Sequence, residues 1–337
     1  MRDTTRAVAG LLAAGLLVLP ACGTTSENRG GAAGGQQARA DACKGPGEDY
    51  RIGMSQANLA EPYRVRMNED IRTAAAKVPQ FEVQFADAAQ DNSQQVNDVQ
   101  NLMTNQVDLL IISPNEAAPL TSEVAQAYNQ GTPVIVLDRK VNGDAYSTFI
   151  GADNVEIGRK AGQHVAQTLL PQGGKVVEIR GLPGSTPAQE RGDGFRQGIK
   201  GSKVQIVDSQ AADWLRDKGR EQMDAILKSQ PQIDVLFSHN DPMAEGAYLA
   251  AEEAGRTQGI DFVGIDALPI PSGGIKAVEQ GRLAASLAYP TGGEEAIEAA
   301  KKLLISCENV PKTQTLETEL VTQRNASQVY SRENSPG

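Results

Sequence analysis

The chain has 337 residues, of which 40% are hydrophobic and 22% charged, and its formal net charge is −10 at pH 7. That length suffices for two domains of ordinary size, and the composition is typical of a soluble globular protein. The acidic balance and the lack of any Lys/Arg-rich run argue against nucleic acid or an anionic membrane surface as a partner.

The first 22 residues have the pattern of an export signal. Arg2 and Arg6 precede an apolar run over residues 7–19, which is shorter than the roughly 20 residues that a membrane-spanning helix needs. The run ends in Leu-Pro-Ala-Cys, which resembles a bacterial lipobox with Cys22 as the lipidated residue. The alternative is a plain export signal in which the cysteine occurs by chance.

Residues 23–47 are rich in Gly, Ala, Gln, Ser and Thr over most of their length, which predicts a flexible tether. A tether behind a lipid anchor predicts an extracytoplasmic protein, held at the outer face of the cell membrane by lipidated Cys22 alone. In such a compartment the two remaining cysteines, Cys43 and Cys307, are expected to form a disulfide. The alternative is two unpaired, partly buried thiols. No Cys/His spacing suggests a metal site.

A first series of strands and helices alternates along the chain. The predicted strands are 51–55, 81–85, 108–113, 134–138 and 148–151, and the predicted helices are 63–78, a helix capped by Ser93, and 120–130. The pattern then restarts. The strands of the second series are 175–180, 204–208, 235–238, 262–265, 283–288 and 315–321, and its helices are 155–170, 188–199, 217–228, 242–254, 275–280 and 294–305.

This alternation predicts parallel sheets that carry helices on both faces. Two series of domain size, without a long linker between them, predict an α/β protein of two doubly wound parallel-sheet lobes.

The run Val134–Arg139 reads Val-Ile-Val-Leu-Asp-Arg, a buried strand that ends on a carboxylate and a guanidinium. In an open parallel sheet, ligands bind outside the carboxyl ends of the strands, so Asp138 and Arg139 are candidate ligand-binding residues. The alternative is a surface ion pair that happens to follow a strand.

Similar polar side chains follow the other predicted strands or lie in the next loop, and three aromatic residues lie near the same ends. The polar residues are Ser55, Gln56, Asn58, Glu61, Ser113, Asn115, Arg191, Asn240, Asp241 and Asp266, and the aromatic ones are Tyr63, Trp214 and Tyr289. Polar groups that exchange bidentate hydrogen bonds, together with aromatic faces, suit a sugar. The competing interpretation is ordinary loop chemistry for the polar residues and core packing for Trp214.

No motif for catalysis stands out in the sequence. It has no Gly-x-Ser-x-Gly, no Walker loop and no His-Glu-x-x-His, and the glycines of 192–198 lie inside a predicted helix rather than after a strand. We therefore expect a binding protein, not an enzyme, with no cofactor and no metal.

Five stretches in this order resemble the ribose-type family of bacterial periplasmic sugar-binding proteins, which feed ABC transporters. The resemblance covers about residues 50–325. The stretches are Val-Ile-Val-Leu-Asp-Arg at 134–139, Gly-Ala-Asp-Asn at 151–154, Gln-Glu-Arg-Gly-Asp-Gly-Phe at 189–195, Ser-His-Asn-Asp-Pro-Met-Ala at 238–244 and Val-Gly-Ile-Asp-Ala at 263–267. The resemblance implies that Asp138, Arg139, Arg191, Asn240 and Asp266 bind sugar hydroxyls.

Other stretches depart from the ribose pattern. The loop 55–64 carries Tyr63-Arg64 and is similar to galactofuranose-binding relatives, while 113–121 and 289–293 are similar to fructose-sensing members of the fold. These likenesses imply a monosaccharide in furanose form, such as fructose or galactofuranose. The complete set of expected ligand residues is Ser55, Gln56, Glu61, Arg64, Asn115, Asp138, Arg139, Arg191, Trp214, Asn240, Asp266 and Tyr289.

By the same resemblance, the fold is the type I periplasmic binding protein with a three-segment hinge. It implies an N-terminal lobe of residues 48–151 plus 290–316, a C-terminal lobe of 152–289 plus 317–330, and a monomer whose closed form is read by a transporter permease. A sugar-sensing receptor that presents its ligand to a membrane signalling protein would have the same cleft. A sugar-processing enzyme would need paired carboxylates, and a repressor of this fold is excluded by the export signal.

Overall fold

Two six-stranded sheets make up the protein, which is represented by a computed structural model that describes residues 42–334. The predicted signal peptide, Cys22 and the tether up to residue 41 lie outside the described residues. Among the residues described, no helix combines the length and the apolar character needed to cross a bilayer.

The strands in chain order are β1 Tyr50–Gln56, β2 Phe81–Asp87, β3 Leu109–Ser113, β4 Val134–Leu137, β5 Thr148–Ala152, β6 Gly174–Arg180, β7 Val204–Ala211, β8 Val235–Ser238, β9 Asp261–Asp266, β10 Ala285–Ala288, β11 Thr313–Leu316 and β12 Leu320–Thr322. The helices are α1 Pro62–Ala75, α2 Asn92–Thr104, α3 Ala117–Asn129, α4 Asn154–His164, α5 Thr186–Gly198, α6 Arg216–Ser229, α7 Asp241–Glu253, α8 Gly274–Glu279, α9 Gly293–Leu304 and α10 Ala326–Glu333.

The first sheet has the order β11-β5-β4-β3-β1-β2 and is parallel throughout. The second has the order β12-β10-β9-β8-β6-β7 and is parallel except for β12. Strands β3, β4 and β8 are buried over their whole length, as expected for apolar runs covered by helices on both faces. The predicted fold class, two α/β lobes built on parallel sheets, is confirmed.

The chain passes between the sheets at three places. It leaves the first sheet after β5, returns after β10, and crosses again between β11 and β12. The carboxyl ends of the parallel strands in both sheets therefore border the same cleft.

Several expectations about individual elements were wrong. The predicted strand 315–321 is two strands, β11 and β12, which belong to different sheets, and β12 runs antiparallel to β10. Helix α4 ends at His164 and is followed by a π-helical turn over Val165–Leu169. The cap of α2 is Asp91, whose side chain accepts the Gln94 N–H, and not Ser93. Helix α10 was not predicted.

A disulfide joins Cys43 to Cys307 across 264 residues of sequence, between the entrance to β1 and the exit from α9. Beside it, the Tyr50 hydroxyl accepts a hydrogen bond from the Lys44 N–H at 3.0 Å and lies 2.5 Å from the Leu304 carbonyl oxygen. Residues 43–44 are thus fixed to the fold, at the sheet edge opposite the cleft.

Candidate functional site

A small cavity lies in the cleft between the two sheets; it encloses about 250 Å³ of empty space, part of it open to solvent. Eight of the twelve predicted ligand residues line it: Glu61, Arg64, Asp138, Arg139, Arg191, Trp214, Asn240 and Asp266. The wall also includes Tyr63 and Pro187. The three predicted arginines, Arg64, Arg139 and Arg191, therefore all line the same cavity.

In the first lobe, Asp138 and Arg64 form a buried ion pair. Asp138 follows β4 with a φ of 65°, and its N–H donates to the Ile150 carbonyl oxygen at 2.8 Å. Arg64 Nη2 lies 2.8 Å from Asp138 Oδ2, and Arg64 Nη1 donates to Ser113 Oγ at 2.5 Å. Burial disfavours the charged guanidinium, yet the adjacent Asp138 and Glu61 carboxylates raise the pKa of Arg64, so this group is always a cation.

Arg139 is held by the same lobe from two sides. Its Nη1 donates to the Asn115 carbonyl oxygen at 3.0 Å, and its Nη2 lies 3.5 Å from Glu61 Oε1, which also accepts Asn58 Nδ2 at 2.7 Å. Burial, together with the Arg64 guanidinium, lowers the pKa of Arg139 to about 10, so the group is still protonated at neutral pH.

In the second lobe, Arg191 and Asn240 are fixed by hydrogen bonds to neighbouring elements. Arg191 on α5 donates from Nε to Asn154 Oδ1 at 2.8 Å and from Nη1 to the His239 carbonyl oxygen at 2.5 Å. Asn240 caps α7: its Oδ1 accepts the Met243 N–H at 3.0 Å, and its Nδ2 donates to the Trp214 carbonyl oxygen at 3.0 Å. Arg191 enters the cleft from the second turn of α5, and Asn240 enters it from the N-terminal cap of α7.

Trp214 lies beside two guanidinium groups, one from each lobe. The carbon atoms at the centres of the Arg139 and Arg191 guanidiniums are 5.2 and 5.5 Å from its ring centroid. Such distances are those of cation–π interactions. Trp214 is 3% exposed and has a φ of 74°, so its backbone is bent to place the indole at the cavity wall.

The indole packs flat on Gly181, at the end of β6, where a Cβ atom would overlap the six-membered ring of Trp214. We expect Gly181→Ala to displace the indole and to weaken ligand binding about 10-fold or more, the scale of losing one good aromatic contact. Calorimetric titration of the variant measures the loss. Gly47→Ala is the matched control, because a Cβ there meets no atom within 4 Å; equal affinities for the two variants would contradict this role of Gly181.

Asp266 ends β9 with its carboxylate at the cavity wall and a φ of 125°. Its carbonyl oxygen accepts the Tyr289 N–H at 3.0 Å. Burial, and then the neighbouring Asp241 carboxylate, raise the pKa of Asp266 well above its usual range. Both effects favour the protonated form of the Asp266 carboxyl group.

The other four predicted ligand residues lie behind the cavity wall. Ser55 Oγ is buried without a partner among the described residues, whereas Gln56 donates to Asn68 Oδ1 at 2.9 Å. Asn115 contributes its carbonyl oxygen to Arg139, and its Nδ2 donates to Asn92 Oδ1 at 2.9 Å. The Tyr289 hydroxyl lies 3.3 Å from the Asp138 carbonyl oxygen, and the Arg191 guanidinium lies 4.9 Å from the centroid of its ring.

Two wall residues were not among the predicted ligand residues. Tyr63 packs edge-on against Tyr289, with the ring centroids 5.7 Å apart, and its hydroxyl donates to the Pro290 carbonyl oxygen at 3.1 Å. Pro187 stands one helical turn before Arg191, and residues four apart share a helix face. That spacing was a signal in the sequence that could have identified Pro187.

The two lobes touch at the mouth of the cleft. The Ala117 N–H donates to the Gly184 carbonyl oxygen at 3.1 Å, and Lys140 Nζ lies 2.8 Å from Glu190 Oε1. A further bond runs from Gln90 Nε2 to the Asp213 carbonyl oxygen at 2.8 Å. These contacts close the cleft over the cavity.

The cavity is equipped to bind rather than to react. Three buried N–H groups, Arg64 Nε, Arg139 Nε and Trp214 Nε1, have no hydrogen-bond partner among the described residues, and a ligand oxygen can accept from such groups. Within residues 42–334, no group of three or more His, Cys, Asp or Glu side chains is placed to hold a metal ion.

Comparisons with known proteins agree with this geometry. Residues 52–306 match the family model described as "Periplasmic binding protein domain". The ribose import binding protein RbsB of Bacillus subtilis strain 168 is 33% identical over 279 residues, which is 82% of this chain and 88% of that protein.

Two solved structures are similar over most of this chain. The fructose-binding periplasmic domain of the hybrid two-component system BT1754 is 41% identical, with a TM-score of 0.81, over 84% of this chain and 94% of that one. A Mycobacterium smegmatis protein in complex with β-D-fucofuranose is 33% identical, with a TM-score of 0.79, over 85% and 94% of the two chains. The chain therefore belongs to the periplasmic binding protein family, whose members bind solutes and are not enzymes.

Proposed function

We propose that this protein is the extracytoplasmic sugar-binding lipoprotein of an ABC importer and that it holds one monosaccharide between its lobes. The observation that carries the proposal is the cavity wall, where Arg64–Asp138, Arg139, Arg191 and Asp266 surround a buried indole. This wall offers fixed hydrogen-bond donors and acceptors and an aromatic ring.

A sugar uses each of these groups. Adjacent hydroxyls accept paired hydrogen bonds from a guanidinium and donate to a carboxylate, and charge-assisted bonds of this kind are about twice as strong as neutral ones. Apolar C–H groups of the sugar pack against the part of the Trp214 indole that borders the cavity. Asp138 and Arg139 bind from the first lobe, and Arg191, Asn240 and Asp266 bind from the second.

The sugar class we propose is a monosaccharide in furanose form, such as fructose or galactofuranose. Arg64 and Glu61 add a second guanidinium and a second carboxylate to the first lobe beside Asp138 and Arg139, which suits a ligand with an exocyclic hydroxyl group. Of the two similar structures described above, one is named as fructose-binding and the other contains β-D-fucofuranose.

Binding is coupled to closure because the wall has residues from both lobes. A ligand that contacts both lobes has a higher affinity for the closed state than for the open one, and it shifts the population by that difference in affinity. The Lys140–Glu190 ion pair at the mouth forms only when the lobes meet. The permease then recognises the closed surface.

The remaining assignments belong to the same proposal. Residues 1–22 direct export, Cys22 carries the lipid, and the tether ends before Cys43 rather than at residue 47 as predicted, because the disulfide joins Cys43 to the fold. The N-terminal lobe is 48–151 plus 290–316 and the C-terminal lobe is 152–289 plus 317–330, which agrees with the three crossings between the sheets. We expect the protein to act as a monomer.

A sugar-sensing receptor is the second candidate. The observation in its favour is that the 41% identical structure is the periplasmic domain of a hybrid two-component system. Loss of labelled-sugar uptake after deletion of the gene favours the importer. Intact uptake together with a lost transcriptional response to the sugar favours the sensor.

A thermal-shift panel tests the sugar site itself. The protein is the exported chain, residues 22–337 with Cys22→Ser, and the panel contains fructose, galactose, arabinose, ribose, xylose, glucose and myo-inositol, followed by calorimetry on any hit. A ligand present at 1,000 times its Kd stabilises the folded state by about 4 kcal/mol and raises the Tm by several degrees. A selective shift by one furanose-forming sugar is the expected result, and no shift with any sugar would refute the sugar site.

A further inference from the structure

Asp241 is a buried carboxylate that lies behind the cavity wall. It is the first residue of α7, directly after the ligand residue Asn240, and it is 4% exposed. Its Oδ2 accepts the backbone N–H of Ala267 at 2.7 Å, and its Oδ1 accepts the Ser286 hydroxyl at 2.7 Å. The carboxylate therefore links α7 to the turn after β9 and to β10.

The turn after β9 has an unusual backbone. Asp266 and Ala267 have φ angles of 125° and 45°, although neither is glycine. Conformations of this kind persist only where the surroundings hold them. Two hydrogen bonds do so here: the Asp266 carbonyl oxygen accepts the Tyr289 N–H, and the Ala267 N–H donates to Asp241. Without the second bond, nothing else described fixes the Ala267 N–H.

The side chain of Asp241 is closely enclosed by its neighbours. A Cβ atom on Gly264 would overlap Asp241 Oδ1, and one on Gly274 would overlap Oδ2. These two glycines come from β9 and from the start of α8, and each lies against a different oxygen of the carboxylate. The carboxylate is thus confined to one position between them.

We propose that Asp241 is a positioning residue for sugar binding: it holds the Asp266–Ala267 turn in the conformation that directs the Asp266 carboxylate into the cavity. The inference rests on the proposed function, because it assigns how one of the sugar-binding groups is held. Asp241 acts through Asp266 and does not itself touch the sugar.

The charge of the Asp241 carboxylate and its hydrogen bond to the Ala267 N–H can be tested separately. Burial, and to a lesser extent the nearby Glu245, raise the pKa of Asp241 to about 7, while its two donors and Arg191 favour the ionised form. An asparagine at this position keeps an acceptor for the Ala267 N–H and removes the charge next to Asp266. We therefore expect Asp241→Asn to retain most of the affinity that Asp241→Ala loses.

A double-mutant cycle separates positioning from general destabilisation. Fructose affinity is measured by calorimetry for the wild type, Asp241→Ala, Asp266→Ala and the double variant, all in the exported chain with Cys22→Ser. Asp241→Ala is expected to weaken binding about 10-fold or more in the wild-type background and less than about 2-fold in the Asp266→Ala background. Equal losses in both backgrounds would overturn the proposal.

The matched control is Asp234→Ala. Asp234 Oδ2 also accepts a backbone N–H, that of Lys175 at 2.7 Å, but at the opposite end of the same sheet. This variant is expected to lower the Tm while the fructose affinity stays within about 2-fold. A loss of affinity as large as that of Asp241→Ala would show that the effect is not specific to the turn.

Hydrogen exchange of the peptide spanning Asp266 and Ala267, measured without sugar, keeps the test independent of the ligand. Faster exchange in Asp241→Ala, with protection restored in Asp241→Asn, supports the positioning role. Unchanged exchange would contradict it. If fructose does not bind the wild type but exchange responds as expected, the choice of sugar fails while the positioning of the turn stands.

Discussion

Asp138→Ala is expected to abolish detectable sugar binding and to destabilise the protein. The variant removes the carboxylate that accepts from the sugar, and it leaves the Arg64 guanidinium buried without the partner 2.8 Å away. Removing one member of a buried ion pair costs about 3–5 kcal/mol of stability. Truncating a buried, hydrogen-bonded charge at an interface costs about 2–5 kcal/mol of binding, or roughly 30-fold to several thousand-fold in Kd.

Calorimetry with the selected sugar and a denaturant titration measure the two effects of Asp138→Ala separately. Glu69→Ala is the matched control, because it also removes a carboxylate from an arginine 2.7 Å away, but in an exposed pair with Arg72. Exposed pairs contribute about 0–1 kcal/mol, so the control should retain both stability and affinity. Sugar affinity of Asp138→Ala within about 3-fold of the wild type would contradict the assigned site.

Removing the disulfide is expected to cost stability without affecting sugar affinity. The bond closes a loop of 264 residues, and loss of a native disulfide typically costs about 2–5 kcal/mol. It lies at the sheet edge opposite the cleft, beside Tyr50 and Leu304, so no ligand residue depends on it. Each kcal/mol corresponds to a Tm decrease of roughly 2–4 °C in a domain of 150–250 residues, and the decrease is smaller in a larger cooperative unit.

The comparison uses Cys43→Ser/Cys307→Ser and the wild type, each with and without reductant. Reductant should lower the Tm of the wild type to that of the variant and leave the variant unchanged. Calorimetry should give the same Kd for both oxidised wild type and variant. Equal melting temperatures for the two oxidised proteins would show that the bond does not stabilise the fold.

The sequence carried enough information to identify the fold class, because its alternating apolar strands and helices have only one common solution, the parallel α/β sheet. It failed at residues 315–321, where one apolar-alternating segment is split between two sheets. Local pattern reports burial and spacing, but it does not report which sheet a strand joins. The capping of α2 by Asp91 rather than Ser93 is a similar failure, since both residues can cap.

Within the site, position after a strand placed Asp138, Asn240 and Asp266 at the correct sheet edge. It did not distinguish them from Gln56, whose amide points instead to Asn68 on α1. Asp241 shows most clearly what the sequence alone could not predict. Its position beside Asn240 was visible in the sequence, but its bond to the Ala267 N–H depends on the backbone of a distant turn.

The buried carboxylate of Glu178 in the second lobe could not be predicted from the sequence either. Glu178 lies in the interior of β6 and is fully buried, where it contacts Arg196, Ser209 and His239. Although burial opposes ionisation, hydrogen bonds from His239, Arg196 and Ser209 lower the pKa of Glu178. A strand residue between valines and an isoleucine gives no sign of such partners, because they come from other elements.

The central claim, that a sugar binds at the wall between Arg139 and Arg191, is tested most directly by the fluorescence of Trp214. It is the only tryptophan in the 337-residue chain, so any change in emission reports on this cavity alone. We predict a saturable change on titration with a furanose-forming sugar, with a midpoint equal to the calorimetric Kd, and no change in Asp138→Ala. Calorimetric binding with unaltered Trp214 emission would place the sugar elsewhere and contradict the account.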